Sequence, residues 1–64
     1  MKVNGTVISL EKSQTLFDFL NAQNYNITLI AVERNGDIVP KGTYKDVILC
    51  AEDTLEIVNF VGGG

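Results

Sequence analysis

The sequence predicts an α+β fold in which a mixed β-sheet carries one helix on one face. Three observations carry this reading. Two Asn-Gly pairs, Asn4-Gly5 and Asn35-Gly36, each stand between short apolar stretches, and such a pair supplies the two positive φ angles of a type I′ hairpin turn. One stretch, Leu16 to Leu20, repeats its apolar residues at helical spacing. The chain closes on Thr54-Leu55-Glu56-Ile57-Val58-Asn59-Phe60-Val61, whose alternation and β-branched content mark a strand.

The elements follow in order. Lys2-Val3-Asn4 and Thr6 to Leu10 form a first hairpin around Asn4-Gly5, and Glu11-Lys12-Ser13-Gln14 is a polar break. Thr15-Leu16-Phe17-Asp18 has the form of a helix start, a Thr cap with an acid three residues on. Leu16, Phe19 and Leu20 make one apolar stripe with Asp18, Asn21 and Gln23 off it, so a short helix is expected over roughly 15–23. Asn24 and Asn26 tolerate the left-handed conformation that ends a helix. A strand is expected over Thr28 to Arg34, then the Asn35-Gly36 turn, then Asp37-Ile38-Val39 as an edge strand, because Pro40 has no N–H to give a ladder. Lys41 to Asp46 reads as an irregular connection, Val47-Ile48-Leu49-Cys50 as a short strand and Ala51-Glu52-Asp53 as a turn.

The order is hairpin, helix, hairpin, last strand. A lone helix covers one face of a sheet, and right-handed crossover connections leave room for the last strand in the middle. This is the β-grasp, or ubiquitin-like, arrangement, with a domain over 1–61 and a flexible tail over 62–64. A chain of 64 residues makes one domain at most, and near 60 residues only ~60% of the unfolded surface is buried. With 45% hydrophobic and 20% charged residues, the composition suits one compact core and not a disordered chain.

Several function classes are disfavoured. One cysteine and no histidine exclude an internal disulfide and a Cys/His zinc cluster, so no metal site is expected. No apolar run has signal-peptide or membrane-spanning length, which points to a cytoplasmic setting. The five bases are scattered against eight acids, net charge −3, whereas nucleic-acid binding needs a concentrated basic face. An acidic surface suits a basic protein partner.

Half of the six glycines stand at Gly62, Gly63 and Gly64. With no Cβ, they let another protein approach from every side. The group they expose is the Gly64 carboxylate, ionised at neutral pH with a reference pKa of about 3.3–3.7 and able to attack a phosphoanhydride. A frayed terminus is the plain alternative.

At these residues the chain resembles the sulfur carrier proteins of thiamin biosynthesis. The likeness spans nearly the whole chain. It is closest over Val32-Glu33-Arg34-Asn35, over Tyr44 to Cys50, and over Asp53 to Gly64. The acid-led final strand running into a terminal Gly-Gly is shared with the small subunit of molybdopterin synthase and, more distantly, with ubiquitin. Three terminal glycines stand here where two would suffice.

The resemblance implies a protein co-substrate and not an enzyme, monomeric alone, with no bound cofactor. An adenylating enzyme related to ubiquitin-activating enzymes would join Gly64 to AMP, using its own ATP and magnesium. Sulfur from a cysteine desulfurase would displace AMP to leave a thiocarboxylate, which thiazole synthase would consume. Two other classes remain: a ubiquitin-like modifier or molybdopterin-type carrier using the same tail, and a plain interaction module using the sheet face.

The apolar runs Leu29 to Val32 and Val47 to Cys50 exceed what one short helix covers, so an exposed docking patch is expected, joined by Phe60 and Val61, with Val58 and Glu56 beside them. Glu52, Asp53 and Glu56 are read as surface acids that steer the tail onto basic partners. Cys50, in an apolar run, is read as a small buried hydrophobe. Tyr25 and Tyr44 are read as aromatics at the core edge.

Overall fold

The two Asn-Gly turns form as their residue types require. Asn4 and Gly5 have φ of 51° and 83°, Asn35 and Gly36 of 53° and 91°, the left-handed pair of a type I′ turn. In the computed structural model, which describes residues 1–60, they close β1 (Lys2–Val3) onto β2 (Thr6–Val7) and β3 (Ile30–Arg34) onto β4 (Asp37–Ile38). The last strand, β5 (Thr54–Asn59), runs between the hairpins in the sheet order β2-β1-β5-β3-β4. It is parallel to β1 and antiparallel to β3. The β-grasp topology and the central last strand are those read from the sequence.

The helix α1 (Leu16–Ala22) begins where the Thr cap placed it, with the Asp18 N–H donating to Thr15 Oγ1 at 3.0 Å. Two further first-turn donors find backbone acceptors: Leu16 N–H on the Val47 carbonyl at 2.8 Å and Phe17 N–H on the Tyr44 carbonyl at 3.0 Å. Segment 44–49 thus satisfies the helix start, which otherwise leaves its N–H groups unpaired. Asn24 takes the left-handed conformation after the helix, at φ 64°. Asn26 does not; it is extended and caps a 3-10 turn at Ile27–Leu29.

The core lies between α1 and one face of the sheet. Leu16, Phe19 and Leu20 meet Val3, Ile30, Val32, Leu55 and Ile57, with Tyr44 and Leu49 closing the end. The apolar stripe of the helix is therefore the buried one, and β3 and β5 alternate buried with outward residues.

Four expectations need correction. The strand expected from Thr28 starts at Ile30, because Asn26 draws Thr28 into the 3-10 turn through Thr28 N–H and Oγ1 bonds of 3.1 and 2.7 Å to its Oδ1. Val47 to Cys50 is not a strand; it makes one isolated bridge, Thr15 to Ile48, and only Leu49 of the four is buried. Cys50 is exposed and not a core residue, since its neighbour Leu49 takes the inward position. Tyr44 is deep in the core at 1% exposure, not at its edge. Its hydroxyl makes no hydrogen bond of good geometry among the described residues, and burial raises its pKa against a weaker opposing effect of the Val32 backbone. Tyr25 is half-buried against the core, as expected. Lys41–Thr43, within the connection read as irregular, is a 3-10 turn.

Candidate functional site

Because every strand carries side chains alternately to its two faces, register assigns the outer face of the sheet. Ala31 stands opposite Val58, Glu33 opposite Glu56 and opposite Ile38, and Lys2 opposite Thr54 and Val7. Val7, Ile38 and Val58 are exposed, and α1 lies on the other face, so this surface has no covering layer among the described residues. Apolar side chains there alternate with acids. Glu33 and Glu56 face each other directly across β3 and β5, a like-charge pairing that disfavours the sheet by itself.

Of the residues singled out for docking, Val58 and Glu56 share this outer face, and Phe60, 54% exposed, follows β5 at its outlet. Its N–H donates to the Leu29 carbonyl at 2.7 Å, the last backbone bond along the chain among the described residues. Val61, Gly62, Gly63 and Gly64, including the expected modification site and domain boundary, lie outside the described residues. The apolar runs contribute less than the sequence suggested. Ile30 and Val32 point into the core, leaving half-buried Ala31 on the outer face, and Val47 to Cys50 lies off the sheet.

The opposite end of β5 is built differently. Asp53, read as a surface acid, is 5% exposed. Its Oδ2 accepts from Arg34 Nε at 3.0 Å and from the Cys50 N–H at 2.8 Å, and its Oδ1 accepts from Asn35 Nδ2 at 3.0 Å. Burial alone would raise the Asp53 pKa; the Cys50, Asn35 and Arg34 donors together outweigh it and hold the carboxyl below its ordinary value. Asp53 is thus a structural anchor and does not steer the tail. Glu52 and Glu56 remain exposed.

Both turn asparagines also bind β5, a role composition and periodicity gave no sign of. Asn35 Oδ1 accepts from the Thr54 N–H at 2.9 Å. Asn4 Oδ1 accepts from the Ile57 N–H at 2.7 Å while its Nδ2 donates to the Ile57 carbonyl at 3.2 Å, so the side-chain amide extends the ladder one step past the end of β1. The available signal was the segment Val32-Glu33-Arg34-Asn35 together with Asp53: Arg34 and Asn35 meet Asp53 here, while Glu33 lies on the outer face.

Among the described residues no three His, Cys, Asp or Glu side chains stand together to hold a metal. No helix is long and apolar enough to cross a membrane. An open depression of about 290 Å³, lined by Met1, Lys2, Val7 and residues 51–54, lies at the Asp53 end, away from the outlet.

The full chain, residues 1–64, matches the ThiS family. It is 38% identical to the sulfur carrier protein ThiS of Bacillus subtilis, over 100% of this chain and 98% of that one. It is 39% identical to a thiazole synthase of Magnetococcus marinus over 97% of this chain but only 19% of that longer protein. Its fold superposes on the crystal structure of the thiamine biosynthesis protein ThiS from Geobacter metallireducens with a TM-score of 0.79, at 24% identity, covering 98% of this chain and 96% of that one. With a family match along its whole length and a sulfur carrier among its homologues, this chain belongs to the ThiS family.

Proposed function

We propose that this chain is a sulfur carrier whose Gly64 carboxylate is activated as an acyl-adenylate and converted to a thiocarboxylate that supplies sulfur for thiazole formation. The observation that carries the reading is its alignment, end to end, with a sulfur carrier protein. Supporting it, β5 is the most firmly held strand and leads directly toward Gly62-Gly63-Gly64. Residues without side chains suit a reactive end that must enter narrow active sites in more than one partner.

The chain acts as a protein co-substrate; the catalysts are its partners. An adenylating enzyme holds ATP and magnesium, forms the bond between Gly64 and AMP and releases pyrophosphate. Sulfur drawn from a cysteine desulfurase as a persulfide displaces AMP, because a mixed anhydride has a good leaving group, and a thiol reductant then cleaves the resulting acyl disulfide to free the thiocarboxylate. Thiazole synthase then takes the sulfur. A thiazole synthase that contains a segment similar to this chain supports that partnership. Docking falls to the outer face around Val58, Glu56 and Phe60, continuing to Val61, and the opposed carboxylates of Glu33 and Glu56 favour partners that bring a cation there. We place this chemistry in the cytoplasm, with the carrier monomeric between encounters.

The test is intact-protein mass after incubation with the adenylating enzyme, ATP and a sulfur donor. One oxygen replaced by one sulfur at Gly64 is the expected result; attachment to a second protein would indicate a modifier, and no change an interaction module. Residues added after Gly64 should abolish the shift by hiding the carboxylate in an amide.

A further inference from the structure

The β5 ladder ends at Asn59, which pairs with Ile30. Beyond that pair the sheet no longer dictates where the chain goes, and the direction of the outlet depends on what holds Phe60. Its N–H is on the Leu29 carbonyl at 2.7 Å. Its ring lies under the ammonium of Lys41, 5.6 Å from nitrogen to ring centre, within the range of a cation–π contact. The same ammonium donates to the Thr28 carbonyl at 3.1 Å.

Each support of this arrangement is itself fixed. Thr28 is tied to Asn26 by two hydrogen bonds. Lys41 opens a 3-10 turn that Thr43 fastens to Pro40 through N–H and Oγ1 bonds of 2.9 and 2.8 Å, and the Lys41 carbonyl accepts from the N–H of Tyr44, a fully buried residue. One flexible side chain thus joins three segments that are otherwise separate: the 3-10 turn before β3, the turn after β4, and the outlet of β5. More than half of the Phe60 surface faces solvent, so burial alone does not set the ring's orientation.

We propose that Lys41 is a positioning residue for sulfur loading: it holds the Phe60 ring and so sets the direction in which the reactive tail leaves the body. This rests on the sulfur-carrier reading. A tail aimed correctly before docking spares the enzyme the ordering, and small misplacements of a reacting group are costly in rate. The signature is a lower turnover with unchanged encounter, because Lys41 acts on the outlet and not on the enzyme surface.

The experiment measures kcat and KM of the adenylating enzyme for the full-length carrier, with thiocarboxylate read by intact mass. Lys41→Gln keeps a donor for Thr28 but removes the cation; it should lower kcat about two- to fivefold, the size of an exposed cation–π contact, with KM unchanged. Lys41→Arg should restore kcat. In a Phe60→Leu background, Lys41→Gln should add no further loss, since the partner it holds is gone.

In the free wild-type protein the Lys41 ε-methylene protons should be shifted upfield by the Phe60 ring current, and the shift should vanish in Phe60→Leu. A rise in KM at constant kcat would make Lys41 a docking contact and overturn the proposal, as would additive losses in the double variant or unshifted ε-protons. A wild-type chain that accepts no sulfur overturns the carrier reading and the positioning role with it, while the ring-current shift still reports whether the Lys41–Phe60 contact forms.

Discussion

The two ends of β5 are opposites. At the Asp53 end a 5%-exposed carboxylate takes three donors, and Asn35 and Asn4 add side-chain amides along the strand. At the Phe60 end Val58, Asn59 and Phe60 are all exposed, and the last backbone bond among the described residues is one N–H to Leu29. One strand therefore carries a polar network that fixes its register and an apolar outlet that is left accessible. The difference shows how a 64-residue chain, with a small core, can leave one end of its central strand exposed without loosening its fold. The side-chain bonds that hold the strand lie between Asp53 and Ile57, short of Phe60.

This division of labour makes a double dissociation. Changes at the outlet should cost sulfur loading and spare stability; changes at the Asp53 end should do the reverse. The largest effect is expected from deleting Gly64. Gly63 would then have to reach one residue further, about 3.3–3.6 Å, and a misplacement of 1 Å can already cost about 100-fold in rate. Loading measured by intact mass should fall at least that much while the thermal midpoint stays that of the wild type. A matching fall in the midpoint would break the comparison.

Asp53→Ala should be the mirror image. It strands the Arg34 guanidinium, the Asn35 amide and the Cys50 N–H, and the loss of charge-assisted bonds should cost about 2–3 kcal/mol in denaturant unfolding. Loading at a temperature where the variant is folded should remain close to wild type. The pH dependence sharpens the test. The folded Asp53 carboxyl is held below its ordinary value, so its contribution is complete above the unfolded value of about 3.9 and is lost as pH falls through the lower folded value. Wild type should lose this stability in acid; Asp53→Asn, already lacking the charge, should show a flatter profile below about pH 4.

Asn4→Gly isolates the amide from the turn. Glycine accepts the positive φ of position 4, so the hairpin should persist while both bonds to Ile57 disappear, at a cost of about 1–2 kcal/mol. Asn4→Asp keeps the Oδ1 acceptor but loses the Nδ2 donor, and should fall between wild type and Asn4→Gly. Equal stabilities for Asn4→Gly and wild type would show that the amide bonds contribute nothing to holding β5.

Local pattern made the architecture legible. The Asn-Gly turns need particular φ angles, the 16-19-20 stripe has one packing solution, and a hairpin–helix–hairpin order leaves the centre of the sheet for the last strand. What stayed hidden was the use of residues whose local role seemed complete. Asn4 and Asn35 satisfied a turn rule, so nothing suggested that their side chains also reach β5. Asp53 sat between Glu52 and Glu56 and looked like its neighbours, although strand parity turns it inward while they face water. Val47 to Cys50 had strand composition, but its Val47 carbonyl was claimed by the helix start at Leu16 and its Ile48 carbonyl by Arg34. Hydrogen-bond demand at a helix end is a tertiary fact, and hydrophobic pattern does not record it.

Cys50 gives the smallest expected effect and tests the comparison from its other side. It lies at the Asp53 end, and as the one thiol in a chain that handles sulfur it is the residue most easily mistaken for part of the chemistry. Its backbone N–H carries the bond to Asp53, which any non-proline substitution preserves. Its exposed Sγ makes one hydrogen bond among the described residues, from the Arg34 guanidinium at 4.0 Å, and Arg34 keeps its bonds to Asp53 and to the Ile48 carbonyl without it. Cys50→Ala should therefore change stability by no more than about 0.5 kcal/mol and leave the thiocarboxylate mass shift at full yield. A folded Cys50→Ala protein that no longer accepts sulfur would place chemistry at the end assigned here to anchoring, and the separation between the two ends of β5 would fail.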